Sequence, residues 1–264
     1  MRTTLLVLCL AALPRADQGL PTPRIITISA AISLTEALTA LAGEYAGAGR
    51  GAVRFNFGPS NLLARQIVAG ADVDLFISAD EAQMDHVARE GLLKDGSRVA
   101  LLGNQLAVVV PNDRPRTLTG IGQIADAAFK RIAIGDPVAV PAGVYAKQYL
   151  EKEGLWAAVQ ARLVPTASVR AALAAVESGA VDAAIVYRTD ARVARRATVA
   201  WVVPLERGPR IVYPAAIMRA SPNAAEAARF LDFLRGTAAA RTFERFGFTV
   251  LARSAFAKAS ASAD

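Results

Sequence analysis

The stretch "ITISAAISLTEAL", residues 26–38, begins as a strand and ends as a helix, with only a few small residues between. Ser33 sits at the changeover and Glu36 follows three residues later. Ser33 and Glu36 fit the pattern S-x-x-E, in which each side chain satisfies a free backbone N–H at a helix start. A helix start is also a place where anions bind, because it presents unpaired N–H groups and a partial positive charge. On this stretch alone the plain cap is the simpler reading, since caps are common and ligand sites few. The choice turns on whether the pattern recurs along the chain.

It does recur. "VRFNFGPSNLLARQIVAG" is a strand, turn residues, Ser60, then a helix carrying Leu62, Leu63, Ile67 and Val68. "DVDLFISADEAQ" is an apolar strand followed by Asp80 as a helix cap. "LAVVVP" is a buried strand stopped by Pro111. "KRIAIGDPVAVPAGVYAKQYLEKEG" is a strand, a loop, and a helix opened by Pro141 with Gly154 past its end. "TASVRAALAAVESG" is a cap and a helix closed by Gly179, and "AAIVY" is a strand ending at Tyr187. "RIVYPAAIM" is a further strand, and "NAAEAARFLDFLRGTAAARTFERFGF" holds two amphipathic helices. Strands alternating with helices predict α/β architecture with mostly parallel sheets flanked by helices. Ligands of such folds sit beyond the carboxyl ends of the strands. The strand-to-helix junctions at Ser33, Ser60, Pro141-Ala142-Gly143 and Ser168-Val169 carry small or hydroxyl residues and no charge. That recurrence moves the reading from isolated caps to a shared site.

Composition narrows the class. The 264 residues are 53% hydrophobic and 20% charged, enough for one large or two smaller cores. The formal net charge is +7, but Lys and Arg are scattered apart from Arg192, Arg195 and Arg196. No basic stretch is interleaved with aromatics, which argues against nucleic acid as a partner. Arg2 followed by the apolar run 5–13 reads as an export signal too short to span a bilayer. The single cysteine, Cys9, falls inside that run, where a lipidated cysteine would normally follow it. Residues 1–23 are therefore expected to be a signal peptide and lead-in. The mature chain would hold no cysteine, and "AKASASAD" at 257–264 is expected to be a disordered tail.

The blocks "AAISLTEAL", "GPSNLLARQI", "ADVDLFISAD", "LLGNQLAVVVP", "GDPVAVPAGVYAKQYL", "VRAALAAVESG", "AAIVY" and "FERFGF" resemble, in order and spacing, the substrate-binding proteins of bacterial molybdate ABC transporters. The resemblance covers residues 25–251. It implies a two-lobe periplasmic binding protein of type II, its lobes joined by two crossover strands, with 24–104 and 211–256 in one lobe and 105–210 in the other. It implies a periplasmic monomer that delivers molybdate, and tungstate with it, to a membrane permease, with no cofactor and no catalysis. It places the oxyanion on the hydroxyls of Ser33, Ser60 and Tyr187 and on the backbone N–H groups of Ala142 and Val169, so that molybdenum is held only through its oxygens. Pro59 departs from the family pattern and offers no N–H there. Sulfate or another oxyanion as cargo, or an enzyme or effector domain on the same fold, are the alternatives.

Neutral donors suit such a ligand on physical grounds. Their number and direction are set, so they sense the count of oxygens and the radius of the anion. A cleft with donors alone also penalises a protonated oxygen. The remaining polar residues have plainer readings. His86, the one histidine, lies within a helix as a solvated side chain. Asp72 and Asp74 suit hydrogen bonds between elements, and Arg65 and Arg170 suit surface or inter-lobe ion pairs. Ser33 lacks the G-x-S-x-G surroundings of a hydrolase nucleophile.

Overall fold

A computed structural model describes residues 25–251. The export-signal reading, Cys9 and the tail at 257–264 lie outside the described residues. The chain opens with β1 (Ile26–Ala31), a 3-10 turn (Ile32–Leu34), α1 (Thr35–Gly47), β2 (Val53–Gly58) and α2 (Ser60–Val68). It continues through β3 (Leu75–Ile77), α3 (Glu81–Arg89), β4 (Val99–Asn104), β5 (Leu106–Pro111), β6 (Ile132–Gly135) and α4 (Pro141–Lys152). Then come α5 (Trp156–Val159), β7 (Leu163–Thr166), α6 (Val169–Glu177), β8 (Ala183–Tyr187), α7 (Arg188–Arg192) and β9 (Ala197–Val202). The last elements are β10 (Ile211–Ile217), α8 (Ala224–Leu234), α9 (Thr237–Arg245) and β11 (Thr249–Val250).

Two sheets result. One is six-stranded in the order β11-β4-β10-β3-β1-β2, the other five-stranded in the order β7-β6-β8-β5-β9. Membership changes between β4 and β5, which are separated by Gln105 alone, and again between β9 and β10. The two passages lie side by side: Val203 N donates to Leu106 O at 2.9 Å, and Gln105 Nε2 donates to Val203 O at 3.0 Å.

The expectation of mostly parallel sheets is corrected to mixed sheets. β1 pairs in parallel with β2 and β3, and β6 with β7 and β8. The strands next to the passages run the other way: β10 is antiparallel to β3 and β4, and β5 to β8 and β9. A segment that leaves one sheet and enters the next cannot be a βαβ crossover, the connection that generates parallel pairing.

Burial follows sheet position. β5, at the interior of its sheet, is buried at every residue, as a strand covered on both faces must be. β2, at an edge, alternates, with Arg54 and Asn56 exposed. β4, β7, β9 and β11 had no strand reading in the sequence. β7 and β11 are short edge strands, and β9 owes its place to pairing with β5. No helix among the described residues is long and apolar enough to cross a membrane.

Candidate functional site

The carboxyl ends of β1, β2 and β8 and the amino ends of α2, α4 and α6 converge on one small cavity of about 230 Å³. Its wall includes Ser33, Ser60, Ala142, Val169 and Tyr187, together with Ala31, Ile32, Gly58, Pro59, Ala79, Val140 and Pro141. All five residues singled out in the sequence thus meet in one place, drawn from both sheets. None of the lining side chains is charged.

Local chemistry explains each position. Pro59 is the N-cap of α2 at φ −64°, the angle its ring imposes, and its carbonyl accepts from Leu62 N and Leu63 N at 3.0 and 3.1 Å. Pro141 is tolerated at the first turn of α4, where its missing N–H has no intrahelical partner to lose. Gly143 follows because the chain there presses on the end of β6. A Cβ at this position would lie 2.0 Å from the carbonyl oxygen of Gly135. Ser168 caps α6, its Oγ accepting from Ala171 N at 3.1 Å. That leaves the N–H groups of Val169 and Arg170 among the orphan donors of the first turn, with Val169 on the cavity wall.

The hydroxyls differ in how they are held. Ser60 Oγ accepts from Ala79 N at 2.9 Å, so its own proton remains to be given. Ser33 Oγ lies 2.9 Å from the hydroxyl of Tyr213. Tyr187 is buried, and its oxygen has no hydrogen-bond partner among the described residues. Burial, reinforced by neighbouring Tyr213, holds its phenol well above the ordinary range, so it stays a protonated donor. A buried unpaired hydroxyl costs free energy unless something else takes its proton.

The S-x-x-E box is not formed. Ser33 lies in the 3-10 turn and makes no cap, α1 begins at Thr35, and Thr35 Oγ1 donates to Ile32 O at 2.7 Å. Glu36 turns instead to Arg170 at the start of α6. Nη1 donates to Oε1 at 2.9 Å and Nη2 to Oε2 at 2.6 Å. A bidentate charged pair outweighs a single bond to a backbone N–H. Arg170 also meets Asp190 of α7, Nε to Oδ1 at 2.5 Å, an ionic contact rather than an aligned hydrogen bond. Asp190 is fully buried. Desolvation pushes its carboxyl up to about 6, against the pull of Arg170.

The plain readings of other residues agree with their surroundings. Asp74 accepts from Thr27 N at 2.7 Å and Ser221 Oγ at 2.6 Å, tying three segments together. Asp72 and Arg65 are exposed, and His86 is half-buried on α3 and does not line the cavity. Among the described residues no group of three or more His, Cys, Asp or Glu is placed to hold a metal ion. The sequence reading missed Tyr213 and Asn104, which stand behind Ser33. "RIVYPAAIM" and "LLGNQ" carry no periodic signal that separates them from core strand.

The family model described as bacterial extracellular solute-binding protein matches residues 26–249. The chain belongs to this family. It is 38% identical to the molybdate-binding protein ModA of Escherichia coli K12 over 241 residues, covering 89% of this chain and 91% of that one. It is 34% identical to the molybdate-binding protein ModA of Haemophilus influenzae over 228 residues, covering 85% and 89%. Among solved structures, the periplasmic molybdate-binding protein of Azotobacter vinelandii superposes with a TM-score of 0.76 at 27% identity, covering 86% of this chain and 99% of that one. Family members are solute-binding proteins, and the two-lobe α/β fold found here is the fold of that family.

Proposed function

We propose that this solute-binding protein captures molybdate, and tungstate with it, in the cleft between its two sheets and delivers it to an ABC permease. Ser33, Ser60, Ala142, Val169 and Tyr187 hold the oxyanion, three through hydroxyls and two through backbone N–H groups. The lobe boundaries fall at 104/105 and 210/211, and the protein works as an exported monomer in the periplasm. The names of the relatives above support the ligand class and the periplasmic setting. The observation that carries the reading is the buried hydroxyl of Tyr187, unpaired among the described residues, in an uncharged cavity at helix amino ends. Such a donor set suits an acceptor that brings its own charge. Sulfate as cargo is named by none of the relatives above, and catalysis on the same fold has no acid–base pair among the lining residues.

Isothermal titration with molybdate, tungstate, sulfate and phosphate tests this. Molybdate and tungstate should bind with submicromolar Kd, more than about 8 kcal/mol, and sulfate far more weakly. Sulfate binding as tightly as molybdate would overturn the assignment.

A further inference from the structure

The direction of a bond between two hydroxyls decides which oxygen still has a proton to give. Ser33 and Tyr213 could each donate on distance alone. Their neighbours remove the ambiguity. Gln105 N donates to Asn104 Oδ1 at 2.8 Å, which orients the amide and turns Nδ2 the other way. Nδ2 then donates to Tyr213 OH at 3.1 Å and to Thr189 Oγ1 at 2.9 Å. An amide NH₂ only donates. The Tyr213 oxygen therefore receives a proton from Asn104 and directs its own at Ser33 Oγ. Burial keeps that phenol protonated, its pKa held above the ordinary range. Ser33 becomes the acceptor of this pair, with its own hydrogen left for the cavity that it lines. Ser60 stands in the same condition, with Ala79 N in the place of Tyr213.

We propose that Tyr213, oriented by Asn104, is a positioning residue that determines specificity: it donates to Ser33 from behind, so that the Ser33 O–H is left to be given to the bound anion. This rests on the function proposed above. Neither Tyr213 nor Asn104 lines the cavity, so both act through Ser33. A fully deprotonated oxyanion meets donors throughout, whereas receiving a proton from the anion would require Ser33 to turn its own O–H away from the cavity and use its remaining lone pair, with Tyr213 already holding the other. The device discriminates by proton count, which cavity size alone cannot do for anions of equal radius.

A double-mutant cycle of Ser33→Ala, Tyr213→Phe and the combined variant tests this, with molybdate titrated directly and sulfate and inorganic phosphate as competitors. Phenylalanine keeps the edge-on ring contacts to Tyr187 and Phe248, at 5.9 and 5.5 Å. Tyr213→Phe should weaken molybdate about 3- to 10-fold in the wild-type background and less than about twofold beside Ser33→Ala. It should also narrow the preference for sulfate over phosphate, since Ser33 is then freer to turn and accept from hydrogen phosphate. Equal losses in both backgrounds, or an unchanged sulfate-to-phosphate ratio, would overturn the role of Tyr213 and leave the site standing. Ser33→Ala binding molybdate as tightly as wild type would overturn site and inference together. Should circular dichroism show Tyr213→Phe unfolded, Asn104→Ala goes through the same cycle, because it removes the donor that sets the direction.

Discussion

Tyr187 shows how one side chain can be read two ways until its partners are known. It ends β8, an entirely buried strand, and a tyrosine there could serve packing alone. Packing does not explain a hydroxyl left without a partner among the described residues at the cavity wall. Replacing Tyr187 with Phe keeps the ring and deletes that one donor. A hydrogen bond to a charged acceptor contributes about 1.5–3 kcal/mol, so the Kd for molybdate should rise roughly 10- to 150-fold. His86→Ala, away from the cavity, should leave it unchanged. A folded Tyr187→Phe protein that binds within about twofold of wild type would take Tyr187 out of the site. Position and residue type were legible at this scale, because a hydroxyl at a strand end stands out in sequence. Whether that hydroxyl was already paired was not, since Ser33 and Tyr213 are 180 residues apart.

At the scale of elements, the salient contact joins the start of α1 to the start of α6. Arg170 grips Glu36 across the cleft and holds Asp190 behind it. The same first turn of α6 carries Val169, so the ion pair draws one wall of the cavity toward the other. Side-chain exposures of 21% for Arg170 and 37% for Glu36 leave the pair partly screened by water. Its worth is accordingly about 0.5–1 kcal/mol, at the upper end for surface pairs because it is bidentate. Glu36→Ala should therefore weaken molybdate binding about 2- to 5-fold, and small-angle scattering should show the ligand-free variant with a larger radius of gyration than wild type. Unchanged values of both would mean that the pair does not help close the cleft. The S-x-x-E pattern misled here for a clear reason. A local cap competes with every cation that tertiary structure brings near, and sequence spacing cannot see Arg170.

At the scale of the whole molecule, one continuous apolar cluster includes β1 and β3 of the first sheet and β5, β6 and β8 of the second. Asp190 is buried close to it. Its carboxyl titrates near 6 in the folded chain against an ordinary 3.8, because desolvation outweighs the attraction of Arg170. The folded state therefore takes up this proton before the unfolded chain does. The contribution to stability is fully present below about pH 4 and is lost as pH rises through about 6, to the extent of up to about 3 kcal/mol. Asp190→Asn removes the titration. Denaturant unfolding of both proteins between pH 4 and 7 should show wild type gaining on the variant as pH falls through that window. A difference that is flat, or that shrinks toward acid, would show that the ion pair and not burial governs Asp190.

The linear order of residues by itself determined the alternation of strands and helices, the capped and proline-opened helix starts, and the uncharged character of the junctions at Ser33, Ser60, Ala142 and Val169. These are local properties, set by periodicity and by the backbone needs of neighbouring residues. Tertiary structure alone decided the rest: that the sheets are mixed, that Glu36 serves Arg170 and not its own helix, and that Asn104 and Tyr213 set the proton of Ser33. Each of these depends on groups far apart in the chain meeting in a low-dielectric interior, where one charge or one donor direction outweighs any local preference.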